Sequence, residues 1–156
     1  MKRTVTMGLL SLVMATGLFV ASNGLAADAH TTSKFEGVKA NTGTAMHGRQ
    51  GNNDTLTWSE EFKIPDTPAP HWQVVDTKGN VFLLQRLKIK GDKENRTITI
   101  SSYIHDVAKV QIYCAWAEAL LGAASFAKPI MTAAGEAASM HADNAMGKHN
   151  SMAMGR

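Results

Sequence analysis

The chain has 156 residues, room for one ordinary domain with extensions. Its 16 basic and 13 acidic residues give a formal charge of +3, but Lys2 and Arg3 sit in an N-terminal leader, and without them 14 basic residues face 13 acidic ones. A near-neutral chain with no basic cluster offers nucleic acid no electrostatic footing, and a single cysteine excludes an internal disulfide, a C-x-x-C-H haem attachment and an iron–sulfur centre.

In the leader, Lys2 and Arg3 precede an apolar run from Met7 to Ala21, and the small residues of GLAADA follow. This is the layout of a secretory signal peptide, and the run is shorter than the roughly 20 residues of a membrane span. Cleavage is expected after Ala26 or Ala27, with Ala27-Asp28-Ala29 as a third site; a retained anchor is the alternative. The chain thus divides into a signal at 1–27, a folded domain at 33–128 and a tail at 129–156. The mature protein is expected in the periplasm or outside the cell, not embedded in a membrane.

From Ser33 onward, short strands alternate with Gly, Asn, Asp and Pro clusters, and no segment keeps a helical period over three turns. Phe35–Lys39 and Thr42–His47 are candidate strands, and RQGNND at 49–54 is a turn by composition. Thr55–Trp58 follows, with Leu56 and Trp58 on one face, and Phe62 and Ile64 extend the apolar series. PDTPAP at 65–70 holds three of the four prolines, which makes it an extended connection. His71–Val75 leads to the turn Asp76-Thr77-Lys78-Gly79-Asn80, and Val81–Ile89 returns as a strand. That strand is apolar on both faces at its start, which predicts a central position. The charged turn at 90–96 precedes a β-branched strand at 97–101.

The longest apolar run outside the leader is Val107–Phe126, and it contains Cys114. Val110, Ile112, Cys114 and Trp116 alternate with Lys109, Gln111, Tyr113 and Ala115, the period of a strand with one face on a core. Cys114 is therefore expected to point inward. Beyond Trp116 the periodicity suits helix and strand equally, and a second strand is predicted. About eight strands within roughly 95 residues predict an all-β antiparallel sandwich or small barrel.

Residues 131–156 hold five of the six methionines outside the leader, two histidines and no aromatic residue. With so little bulky apolar surface the tail is expected to be disordered or transiently helical.

The chain contains no G-x-S-x-G elbow, Gly-rich phosphate loop or H-E-x-x-H pair. A blue-copper site needs a histidine shortly after its cysteine, and the next one after Cys114 is His141. What remains is one thiol beside Tyr113 and Trp116, with His105 upstream and His71 on another strand. Such a thiol can serve as a redox centre, a nucleophile or an axial ligand to non-covalent haem, with His105 and His71 as further cofactor ligands. It can equally fill core space as an inert small hydrophobe. The tail offers a second chemistry: Met131, Met140, His141, Met146, His149, Met152 and Met154 supply thioether and imidazole ligands suited to copper, or form an extension that carries no metal. Trp58, Trp72 and Trp116 are either core anchors or the lining of a ligand groove.

The pattern Val110-x-Ile112-Tyr113-Cys114, followed by Leu121-Gly122-x-Ala124-x-Phe126, resembles the electron-transfer DM-thirteen domain family. Gly43-Thr44-Ala45, Leu56–Phe62, Pro70–Val75 and Leu84–Lys90 are similar to its other strand motifs, so the resemblance spans about 33–126. It implies a β-sandwich outside the cytoplasm and a redox role centred on Cys114, as a bare thiol or as the holder of a group such as haem. An unknown redox or protein partner is implied with it. Three positions depart from the pattern: His71 stands where Asp is common, Ala117 where an aromatic is usual, and Ser101 or Ser102 where a proline is customary.

Overall fold

The computed structural model describes residues 29–153, with side chains through Asp143 apart from Asp92. The expected signal at 1–27 lies outside the described residues. Among the described residues seven strands form two antiparallel sheets. β1 (Ala45–Gln50), β2 (Asn53–Trp58) and β5 (Thr97–Thr99) make a three-stranded sheet in the order β1-β2-β5. β3 (Pro70–Val75), β4 (Val81–Arg86), β6 (Asp106–Cys114) and β7 (Ala119–Met131) make a four-stranded sheet in the order β4-β3-β6-β7. Among the described residues one α-helix, α1, spans Ala133–Ala153, and a short 3-10 turn spans Lys90–Asp92. Neither sheet closes into a barrel.

The sheets share one apolar core. Period-two alternation turns Leu56 and Trp58 of β2, Trp72 and Val74 of β3, and Val110, Ile112 and Cys114 of β6 into it, and all are buried. Trp58 and Trp72 come from different sheets and stack at 5.2 Å between centroids with 22° between planes. Phe62 packs on Trp58 and on Phe35, which extends the aromatic layer to the N-terminal segment.

Residues 30–40 join the outer edges of the two sheets. Ser33 and Glu36 donate to the carbonyls of Ser125 and Ala123 on β7, while Thr32 donates to Ala45 on β1 and the His47 N–H donates to His30. This stitch needs close backbone approach: a Cβ on Gly37 would meet the backbone of Gly122, and one on Gly122 would meet the Ala40 carbonyl.

Several expectations change. Residues 35–39 contribute only an isolated bridge at Glu36, and the first ladder strand begins at Ala45 and runs to Gln50, so the 49–54 turn shrinks to Gly51-Asn52. β4 is an edge strand rather than a central one, with Val81 and Leu83 about half exposed. Its apolar pattern misled because Phe82 and Leu84 alone pack on the core. Trp116 sits in the tight β6–β7 turn and is 75% exposed, because the strand ends at Cys114. The tail is helical from Ala133 to Ala153. Thr132 caps it, its hydroxyl accepting from the Gly135 N–H at 3.1 Å, and the first turn is tied to the domain by Glu136 and Ala133. Side chains at 137–143 are exposed.

Candidate functional site

Cys114 ends β6 opposite Pro70, the first residue of β3, and is 1% exposed. Two loops enclose the sulfur. One is the turn Ala115–Glu118, which reverses the chain into β7 with Glu118 in the left-handed region at φ 49°. The other is the proline-rich connection ending at Pro70, pinned by the Ala115 N–H on the Ala69 carbonyl at 2.9 Å. The N–H of Ala117 above all holds the thiol below its ordinary range; burial opposes this, and the N–H groups of Ala69 and Trp116 and the Thr67 hydroxyl reinforce it. Thr67 Oγ1 is itself buried and makes no geometrically sound hydrogen bond. A groove at that loop is lined by Thr67, Pro70, Arg86, Lys88 and Lys90, with Asp66 as its one carboxylate.

The histidines paired with Cys114 by sequence reasoning are not brought to it. His71 stands opposite Tyr113, one position out of phase with Cys114, so it projects from the other face of the sheet, and its Nδ1 donates to the Ala69 carbonyl at 2.9 Å. His105 is exposed at the start of β6, about 30 Å along the strand from Cys114 at about 3.3 Å per residue. In the tail, Met140 and His141 are exposed on α1, and Met131 lies at the end of β7, 48% exposed. The side chains of Met146, His149 and Met152 and the whole of Met154 lie outside the described residues. Among the described residues no three His, Cys, Asp or Glu side chains converge as a metal cluster, and no helix is long and apolar enough to cross a membrane.

Sequence reasoning missed a polar cluster at the opposite end of the fold. Ala45, His47 and Arg49 share the inward face of β1, and register sets His47 against Leu56 and Arg49 against Asp54. Where the core runs out, this face turns polar. His47 Nε2 lies 2.8 Å from Asp54 Oδ1. The Asp54 carboxylate also accepts from Arg49 Nε at 3.3 Å and, through Oδ2, from the Ala133 N–H at 2.7 Å. Burial alone would push the Asp54 carboxyl up, but the Ala133 N–H, His47 and Arg49 together hold it below the usual range. Arg49 reaches on to both carboxylate oxygens of Glu136 at 3.1 and 3.2 Å. His30, placed by its carbonyl's bond to His47, lies Nδ1 to Nδ1 with His47 at 3.0 Å. The signal for this cluster was present in the alternation of β1 and β2, which puts 47, 49 and 54 on one face once the turn is set at Gly51-Asn52.

No family model matches the chain, and comparison with curated proteins and with solved structures returned no match.

Proposed function

We propose that this chain is an exported redox module of the electron-transfer DM-thirteen kind, folded as a β-sandwich, in which Cys114 is the reactive group. The observation that carries the reading is the surround of the buried thiol: backbone N–H groups of the 115–118 turn and of Ala69, with the Thr67 hydroxyl as the smallest contributor, favour the thiolate in a place where an inert core cysteine would meet only apolar atoms. The thiolate is the form that reacts. With hydrogen peroxide it forms an S–O bond as the O–O bond breaks, giving the sulfenic acid and hydroxide. The same N–H groups then face the oxidised sulfur.

Access requires the 65–70 loop or the 115–118 turn to move, because the sulfur is buried. The cationic groove behind Thr67 favours an anionic reductant or an acidic partner surface at that point. A prosthetic group held by Cys114 would need its second ligand from outside the pair His71 and His105, which project elsewhere.

Two measurements test the proposal. The alkylation rate of Cys114 in the folded protein is expected to follow a midpoint below 9.0, the ordinary thiol value, and peroxide is expected to yield a trappable sulfenic acid. The absorption spectrum of protein isolated from its own compartment separates bare thiol from haem or copper. A Cys114 that reacts only as fast as the chain globally unfolds, in protein without visible absorption, overturns the reading.

A further inference from the structure

The contact between His30 and His47 has room for one proton. Their ring planes differ by 19°, and the 5.3 Å between centroids exceeds the 3.0 Å between the two Nδ1 atoms by about one imidazole radius at each end. The rings therefore meet end to end, nitrogen to nitrogen. A carboxylate only accepts, so at 2.8 Å from Asp54 the Nε2 of His47 carries hydrogen, and the variable proton of His47 is the one on Nδ1. With a single proton between the two Nδ1 atoms, one ring donates and the other accepts. The pair tolerates its first added proton, because an imidazolium donates to a neutral imidazole. It does not tolerate the second: both nitrogens then carry hydrogen, and at 3.0 Å the two hydrogens would stand only about 1 Å apart.

The fold decides which ring gives way. The His47 side chain is 5% exposed and fixed by Asp54, whereas His30 lies at the surface. His30 belongs to a short stretch laid along β1: its carbonyl accepts from the His47 N–H at 2.7 Å, Thr31 bridges Met46, and Thr32 is bound to Ala45 through both its N–H and its hydroxyl. Thr32 is thus the hinge, and residues 29–31 are the part held mainly through His30. Ala29 and His30 also form a wall of a cavity of about 610 Å³ that His47 lines. The charges around the pair are Asp54 of β2 and Glu136 of α1, both on Arg49 of β1, and Lys128 of β7 on the same cavity. Arg49 is engaged with both carboxylates, and Lys128 adds to the repulsion that a second imidazolium meets.

We propose that His30 and His47 form a one-proton latch, which closes residues 29–31 on β1 while a single proton lies between the two Nδ1 atoms and opens that wall of the cavity when each ring takes its own. The open segment binds one more proton than the closed one, so falling pH favours opening, by up to about tenfold per pH unit. Asp54 stays ionised across the interval in which imidazoles charge, since its carboxyl is held below 3.8. The latch is separate from Cys114 and does not rest on its chemistry.

The test is nuclear magnetic resonance of the ¹⁵N-labelled protein between about pH 8 and pH 5. A coupling across the hydrogen bond between the two Nδ1 nuclei is expected at the upper end, and is expected to vanish where the ring nitrogen shifts report a proton on both. Below that point the protection of the His47 amide against exchange is expected to fall by up to about tenfold per pH unit, while the Thr32 and Ile112 amides keep theirs. In His30→Ala, which alters an exposed side chain and leaves the backbone bond in place, the protection of the His47 amide is expected to be lower and independent of pH over the same interval. Absence of the coupling at every pH, a coupling that survives the second proton, or an equal pH dependence in His30→Ala overturns the proposal.

Discussion

Asp54 is the residue on which the end of the fold remote from Cys114 depends, and its replacement yields a magnitude that can be checked. It is 5% exposed and accepts from the His47 imidazole, the Arg49 guanidinium and the Ala133 N–H. Asp54→Ala leaves the first and last of these donors without partners in a buried setting, and each such loss costs about 1–3 kcal/mol. Arg49 keeps Glu136 and solvent and adds little. A loss of about 2–6 kcal/mol follows, which for a domain of this size lowers Tm by on the order of 10–20 °C. Asp54→Asn is milder, about 1–2 kcal/mol, because its carbonyl serves one donor and the His47–His30 pair can shift its protons to meet the new amide. The pH dependence has a definite sign. Since the folded carboxyl is held below its ordinary 3.8, its contribution is complete above that value and is lost as pH falls through the folded value. The parent is therefore expected to exceed Asp54→Asn in urea midpoint at neutral pH, with the gap closing below about pH 4. Fluorescence of the stacked Trp58–Trp72 pair reports unfolding of both sheets at once. A gap that persists unchanged to strongly acidic pH would refute the assignment of the stability to the ionised carboxylate.

Thr67→Val removes a buried hydroxyl that lacks a sound partner, so stability is expected to hold or rise while the Cys114 alkylation midpoint moves up; an unmoved midpoint would separate Thr67 from the thiol. Gly122→Ala drives a methyl into the Ala40 carbonyl and is expected to release the 32–40 segment first, visible as faster amide exchange at Glu36 and Ala123 than in the rest of β7. Trp72→Ala, at a fully buried position, is expected to cost about 3–5 kcal/mol and to abolish the exciton couplet of the indole pair in far-ultraviolet circular dichroism. Glu136→Gln is expected to leave global stability almost unchanged, since the pair it forms with Arg49 is partly exposed, but to loosen the first turn of α1 in amide exchange.

How legible the fold was depended on where burial matched sequence period. Cys114 facing inward, the turn at Asp76–Asn80 and the strand after the tight turn at 115–118 could all be read, because alternation and turn chemistry agree there with the final packing. β4 could not, since an edge strand carries apolar residues on its outer face for reasons local composition does not reveal. The tail misled in another way. Its own residues provide little helical drive, and its first turn is fixed by Thr132, Asp54 and Arg49, the last two about 80 residues away in sequence. Pairing Cys114 with His71 failed on parity alone, because one step along a strand reverses the face.

Cys114 and the polar cluster around Asp54 lie at opposite ends of β6. Cys114 closes that strand beside Ala69 and Pro70, while His105 at its beginning offers its carbonyl to Thr132, directly before the helix turn that Asp54 caps. Between them stands the shared core of Trp72, Val110 and Ile112, all fully buried. Perturbations at such a separation add in free energy. Thr67→Val and Asp54→Asn are thus expected to change stability independently. Non-additivity in the double variant would reveal a coupling through the core, and would make the strand between the two ends, rather than either end alone, the unit to be explained.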